Sequence, residues 1–259
     1  MTAASRPLSS TLTRLSLALL IATALQGCAA LGVRGEARYN DMAMTGDLGV
    51  SESATGLSEM GQGITSSLGV GEGQGTPYLS GQLKRDGISV ASSLFWIKED
   101  SEGQLNESFG ALPAGSAVAG DMDVVVAKLS ATYSLDVLGI DVAPGVMLDA
   151  YSLEVSASEL GTGATAESND LLFVPMPCIR AEAEVGAVKT CGELGYRDGF
   201  GGRPSALDFE ATVEWSPAPS WRAFVGYRHV DISTDGELGN GLATDLAIQG
   251  WMIGGGLEF

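Results

Sequence analysis

The chain's single histidine, His229, lies in the segment YRHVDIS and shares a strand face with Asp231 and Ser233. An imidazole beside a carboxylate and a hydroxyl is the raw material of nucleophilic hydrolysis. Two more carboxylates, Asp121 and Asp123, open another apolar segment, and acids within reach of a histidine can do general acid–base work. Cys178 and Cys191 supply two thiols. No Cys-x-x-Cys or Cys/His cluster accompanies them, so neither a metal site nor a cofactor is expected. GVGEGQG at 69–75 has the glycine content of a phosphate loop, but it lacks the lysine and the strand-to-helix setting and reads as a flexible loop.

The elements that must position these residues are strands. In ALDFEATVEWS (206–216), Leu207, Phe209, Ala211, Val213 and Trp215 share one face, while Asp208, Glu210, Thr212 and Glu214 share the other. This period of two is the signature of a strand with one apolar side. DVVVAKLSATYSLD (123–136) repeats it, and weaker strand patterns lie near 33–43, 75–84, 88–98, 140–155, 171–184, 189–198, 221–233 and 247–259. Short connections at 85–87, 136–139, 185–188 and 216–220 alternate with long ones at roughly 44–74, 99–121, 156–170, 199–205 and 234–246. All short turns therefore fall at one end of the structure, together with both termini, and all long loops fall at the other.

Residues 1–27 carry Arg6 and Arg14, then the apolar run from Leu15 to Leu25. That is a secretory signal peptide, and the run is too short to be a membrane-spanning helix. LQGC at 25–28 resembles a bacterial lipobox, which implies that Cys28 is acylated and becomes the mature N-terminus, with 28–32 as a lipid-anchored linker. Loss of Arg6 and Arg14 takes the formal charge from −18 to −20. So acidic a chain repels phosphate backbones, which excludes nucleic acid as a partner.

Strands of about ten residues, with short turns on one side and long loops on the other, match an outer-membrane barrel. The terminal GWMIGGGLEF, the FVGYRHVDI strand at 224–232 and the loop asymmetry carry a resemblance to small bacterial outer-membrane β-barrel proteins, the OmpA-like and opacity-like group, over 33–259. The resemblance implies an antiparallel up-and-down transmembrane barrel of about ten strands, with eight as the alternative. It places the chain in the cell outer membrane, with its long loops extracellular. It makes Phe259 the signal read by the barrel-insertion machinery, closing the last strand against the first.

Alternation alone does not say which face meets lipid. Trp215 and Trp221 flank a short turn, while Trp96 and Tyr227 lie towards the long loops, spaced as two interfacial girdles would be. The opposite face carries Arg34, Glu36, Arg38, Lys128, Glu210 and Arg228, mixed charges able to pair across a narrow lumen. A lipid-tethered soluble barrel binding an apolar ligand would instead turn Phe209, Val213 and Trp215 inward.

Two enzymatic readings compete. Lipid A deacylase barrels use a His-x-Ser spacing, whereas this chain has His229-x-x-x-Ser233. Omptin proteases face acidic and Asp/His pairs across the barrel mouth. Here the order His229-x-Asp231 is reversed, and parity puts both it and Asp121/Asp123 outside the lumen. With the 171–198 hairpin turning at Glu184–Val185, Cys178 and Cys191 face each other on the lumen side, a disulfide suited to oxidising export. The strand count was tied to that register.

The long loops hold fifteen acidic residues against Arg203 alone, a face suited to lipopolysaccharide through divalent cations. The sequence thus reads as an outer-membrane barrel lipoprotein with a structural, adhesive or envelope-maintenance role and no catalysis.

Overall fold

Ten long strands pair edge to edge, each antiparallel to its neighbours, and the last closes on the first. The computed structural model describes residues 32–50, 62–68, 74–199, 204–218, 220–234 and 242–258. The barrel strands are β1 (Gly32–Val50), β3 (Gln74–Arg85), β4 (Ile88–Gln104), β5 (Ala117–Tyr133), β7 (Ile140–Glu159), β8 (Thr165–Val185), β9 (Val188–Arg197), β10 (Ser205–Ala218), β11 (Trp221–Thr234) and β12 (Leu242–Glu258). Two short pieces complete the set: β2 (Gln62–Gly63), paired to β1, and β6 (Leu135–Val137), paired to the start of β7. The seam runs from Arg34 opposite Glu258 to Val50 opposite Leu242, so no barrel edge is left open.

The expected ten-strand barrel is present, with its two-residue turns at one end, but extension of β7 and β8 cuts the expected long loop at 156–170 to residues 160–164. Asp86–Gly87 and Leu138–Gly139 take positive φ at both residues, the geometry that two-residue hairpin turns favour. The signal peptide, Cys28 and Phe259 lie outside the described residues.

The 171–198 hairpin corrects one expectation. Val185 pairs with Val188, with Gly186 at φ 64, so the turn is centred two residues later than expected. Cys178 then faces Gly195 and Cys191 faces Glu182, four positions apart along the ladder, and both thiols are free. The strand count survives this shift, because β8 and β9 remain one hairpin in either register.

The strands also run further towards the long loops than alternation suggested. A membrane crossing needs about 9–11 residues, whereas β7 has 20 and β8 has 21. The surplus lies on the long-loop side. Near the short turns, outward residues are apolar: Leu129, Val213, Val225, Ile253 and Trp215 are all exposed. Tyr39, Trp96, Tyr196 and Trp251 form an exposed aromatic ring above them, while Trp221 and Tyr133 stand at the turn end. Beyond the upper ring the pattern inverts. On β5 the outward residues become Asp123 and Asp121, while Val126, Val124 and Met122 are buried inside. On β12 they become Gln249 and Asp245, over buried Ile248 and Leu246.

Candidate functional site

The lumen of the lipid-facing half is filled with charge. Arg228 and Asp208 are both fully buried and joined by two bonds, Nη2 to Oδ2 at 2.5 Å and Nε to Oδ1 at 3.2 Å. Each comes from the polar parity of its strand, β11 or β10, and Asp208 pairs with Val230 in the register, so the two reach each other diagonally across one rung. Lys128 on β5 donates to Glu193 at 2.9 Å and to Glu210 at 3.2 Å. Arg38 on β1 donates to Glu210 at 2.5 Å and to Glu36 at 2.6 Å. Arg34 pairs with Glu36 and, at 2.5 Å, with Glu214, which also accepts from Arg222 at 3.0 Å. Glu193, Glu210, Glu214 and Asp208 each serve a cation from another strand, while Glu36 bridges Arg34 and Arg38 of its own β1. This is the geometry that offsets the desolvation of buried ions.

An aromatic layer caps the ions. Tyr78 and Phe95 stack with centroids 6.0 Å apart. The Arg38 guanidinium lies 4.7 Å from the Tyr78 centroid, and that of Arg228 lies 5.0 Å from the Phe95 centroid. Such contacts stabilise a desolvated guanidinium by about 2 kcal/mol. The open space left among the ions is only about 50 Å³, room for a few waters. Below it, at the short-turn end, a polar vestibule of about 350 Å³ opens between Lys84, Asp141, Glu182, Lys189 and Arg222.

Above the aromatic layer the lumen is apolar. Met42, Met44, Ile97, Val124, Leu153, Val155, Ile232 and Ile248 are all buried there; Glu99 and Thr244 are polar exceptions. A π-type turn, Ile64–Leu68, folds back into the mouth and buries Ile64 and Leu68. Gly103 lets it approach: a Cβ there would sit 2.1 Å from the Ser67 carbonyl oxygen. Leu105, Phe109 and Leu112 close the mouth beside it. Sequence reasoning missed this plug, which sits in a stretch read as open loop.

The residues weighed as catalytic candidates lie outside the lumen, as their parity in the sequence implies. Asp121 projects outward and pairs with Lys98 at 3.5 Å, its side chain 43% exposed. Asp123, His229 and Asp231 are also on the outward, half-exposed parity. Phe209, Val213 and Trp215 point outward, as a lipid-facing wall requires. Among the described residues, no three His, Cys, Asp or Glu side chains converge on a metal position.

No protein-family model matches the chain, and no curated protein matches it by sequence. Solved structures resemble it in fold: the chain is an outer-membrane-type β-barrel. Outer membrane protease OmpT from Escherichia coli superposes with a TM-score of 0.56 at 8% identity, covering 88% of this chain and 97% of that one. Ail, the attachment invasion locus protein of Yersinia pestis, gives 0.41 at 11% identity, covering 88% and 99%. Neisserial surface protein A gives 0.36 at 13%, covering 90% and 100%.

Proposed function

We propose that this protein is a closed, non-catalytic barrel of the outer membrane, acting through its exterior and loops in adhesion or envelope maintenance. The observation that carries the reading is how the lumen is filled among the described residues: an ionic layer in one half and an apolar plug in the other. A lumen packed in this way favours action through the outer surface. Above the aromatic ring that surface bears Asp41, Asp100, Asp121, Asp123, Glu154 and Asp231. Such a collar attracts divalent cations as a diffuse field and fits the phosphate-rich lipopolysaccharide layer through them.

OmpT is a protease, but its likeness to this chain is one of fold. The outward direction of Asp121, Asp123, His229 and Asp231 favours a role without peptide hydrolysis. Acylation of Cys28 and recognition of Phe259 by the insertion machinery belong to the same reading. Fatty-acid labelling of the wild type and its loss in Cys28→Ala test the anchor.

Planar-bilayer recording tests the central point. The purified protein is expected to give no sustained conductance steps. Stable steps in the wild type would overturn the sealed-barrel reading.

A further inference from the structure

The two free thiols sit on one lumen wall, and Cys178 shares its strand face with a methionine, Met176. Met147 on β7 is the direct cross-strand partner of Met176 on β8, and Cys178 follows Met176 on the same face. Across from Cys178 on β9 stands Gly195. A Cβ added at Gly195 would lie 2.7 Å from the Met147 Sδ and 2.8 Å from the Met176 Sδ. Both thioethers thus converge on the space left by the absent side chain, at the position that the register sets opposite Cys178. Met147, Met176 and Cys178 are 2%, 3% and 7% exposed.

From this we infer a binding site for a soft monovalent cation, Cu(I), formed by Cys178, Met147 and Met176. Thiolate and thioether ligands select Cu(I) over harder ions, which prefer carboxylate and carbonyl oxygen. One thiolate neutralises one monovalent charge, so the filled site adds no net charge to a desolvated lumen. Methionine side chains are flexible enough to close on an ion from their resting positions.

The wall also supplies an approach. From the vestibule upward, β8 and β9 carry Glu184 opposite Lys189, Glu182 opposite Cys191 and Arg180 opposite Glu193, then Cys178 opposite Gly195. Glu193 holds Lys128 through Oε2, while its buried Oε1 has no hydrogen-bond partner. As the sulfur–metal bond forms, the Cys178 proton leaves to this carboxylate oxygen and then to the vestibule.

The test is Ag(I) binding, a probe that needs no reductant, to the protein folded in detergent with Cys28→Ala in every variant, the wild-type reference included, read by intact native mass and followed by Cu(I) competition with a chromophoric chelator. The wild type and Cys191→Ser are expected to take up one ion per chain, and Cys178→Ser none. The double variant Met147→Leu/Met176→Leu keeps volume and apolarity and should bind about 100-fold more weakly, since even outer-shell losses cost metal sites 10–100-fold. Gly195→Ala should weaken binding similarly, by filling the space where the sulfurs meet. Heat-modifiable gel migration verifies that each variant is folded. Absence of binding by the wild type would overturn the site. So would equal loss in the two cysteine variants, or undiminished affinity in the Met→Leu double variant, which would mark a plain thiol.

Discussion

The two halves of the lumen share one parity and reverse its chemistry. In the half ringed by Val225, Ile253 and Leu129 the interior is ionic, built on Arg228, Asp208, Lys128 and Glu210. In the half ringed by Asp123, Gln249 and Asp245 the interior is Ile97, Val124, Leu246 and Ile248. The backbone does not change at the crossing; the register of β5 against β4 and β7 runs unbroken through it. What changes is the medium outside. Where lipid surrounds the wall, outward residues must be apolar and charge has only the lumen to occupy. Where water surrounds it, burying apolar side chains inside stabilises the same sheet. The molecule is a membrane barrel continued upward as a water-soluble one.

The contrast is sharpest at single buried residues. Arg228→Met removes one partner from a fully buried pair and strands Asp208, which should destabilise the barrel by about 3–5 kcal/mol. Adding Asp208→Leu should recover most of that loss, because replacing both ions with apolar groups is near neutral. Urea unfolding in detergent or in vesicles measures both. In the upper half the vulnerable quantity is packing. Ile248→Ala should cost about 2–5 kcal/mol through lost burial and a cavity, and no second-site charge change should rescue it.

The outer wall gives the next largest contrast. Val225→Lys places a charge against lipid and should cost about 2–4 kcal/mol, whereas Asp231→Lys, on the same strand face beyond the aromatic ring, should cost about 0–1 kcal/mol. Comparable losses at the two positions, measured in vesicles, would erase the boundary between the halves.

The inversion also explains what could be read from the sequence. Within the lipid-facing half, alternation in 33–43, 123–136, 206–216 and 221–233 locates the strands and assigns Arg34, Glu36, Lys128 and Arg228 to the lumen, where they are found. The strand extensions were not legible in the same way. In β5, apolar residues hold the even positions from Val118 to Val126 and mostly the odd ones from Val125 onward, so a period-two count cancels across the crossing. Segments such as 99–104 and 117–122 therefore passed for loop. The cysteine pairing failed for a different reason. A Val-Gly-Ala-Val turn permits more than one centre, and here the positive φ of Gly186 sets it two residues beyond the expected one. The convergence of Met147 and Met176 over Gly195 depends on register across three strands, which no local pattern encodes.

The account stands on where the outer wall leaves the membrane, and a cysteine-accessibility profile along one face of β11 and β12 tests this most directly. In a background of Cys28→Ala, Cys178→Ser and Cys191→Ser, single substitutions Asp245→Cys, Gln249→Cys, Ile253→Cys and Val225→Cys are reconstituted in vesicles and exposed to a membrane-impermeant maleimide. Rapid labelling is expected at 245 and 249 and protection at 225 and 253, with the break at the Tyr227–Trp251 edge contact. Protection at all four positions, or labelling at all four, would contradict it.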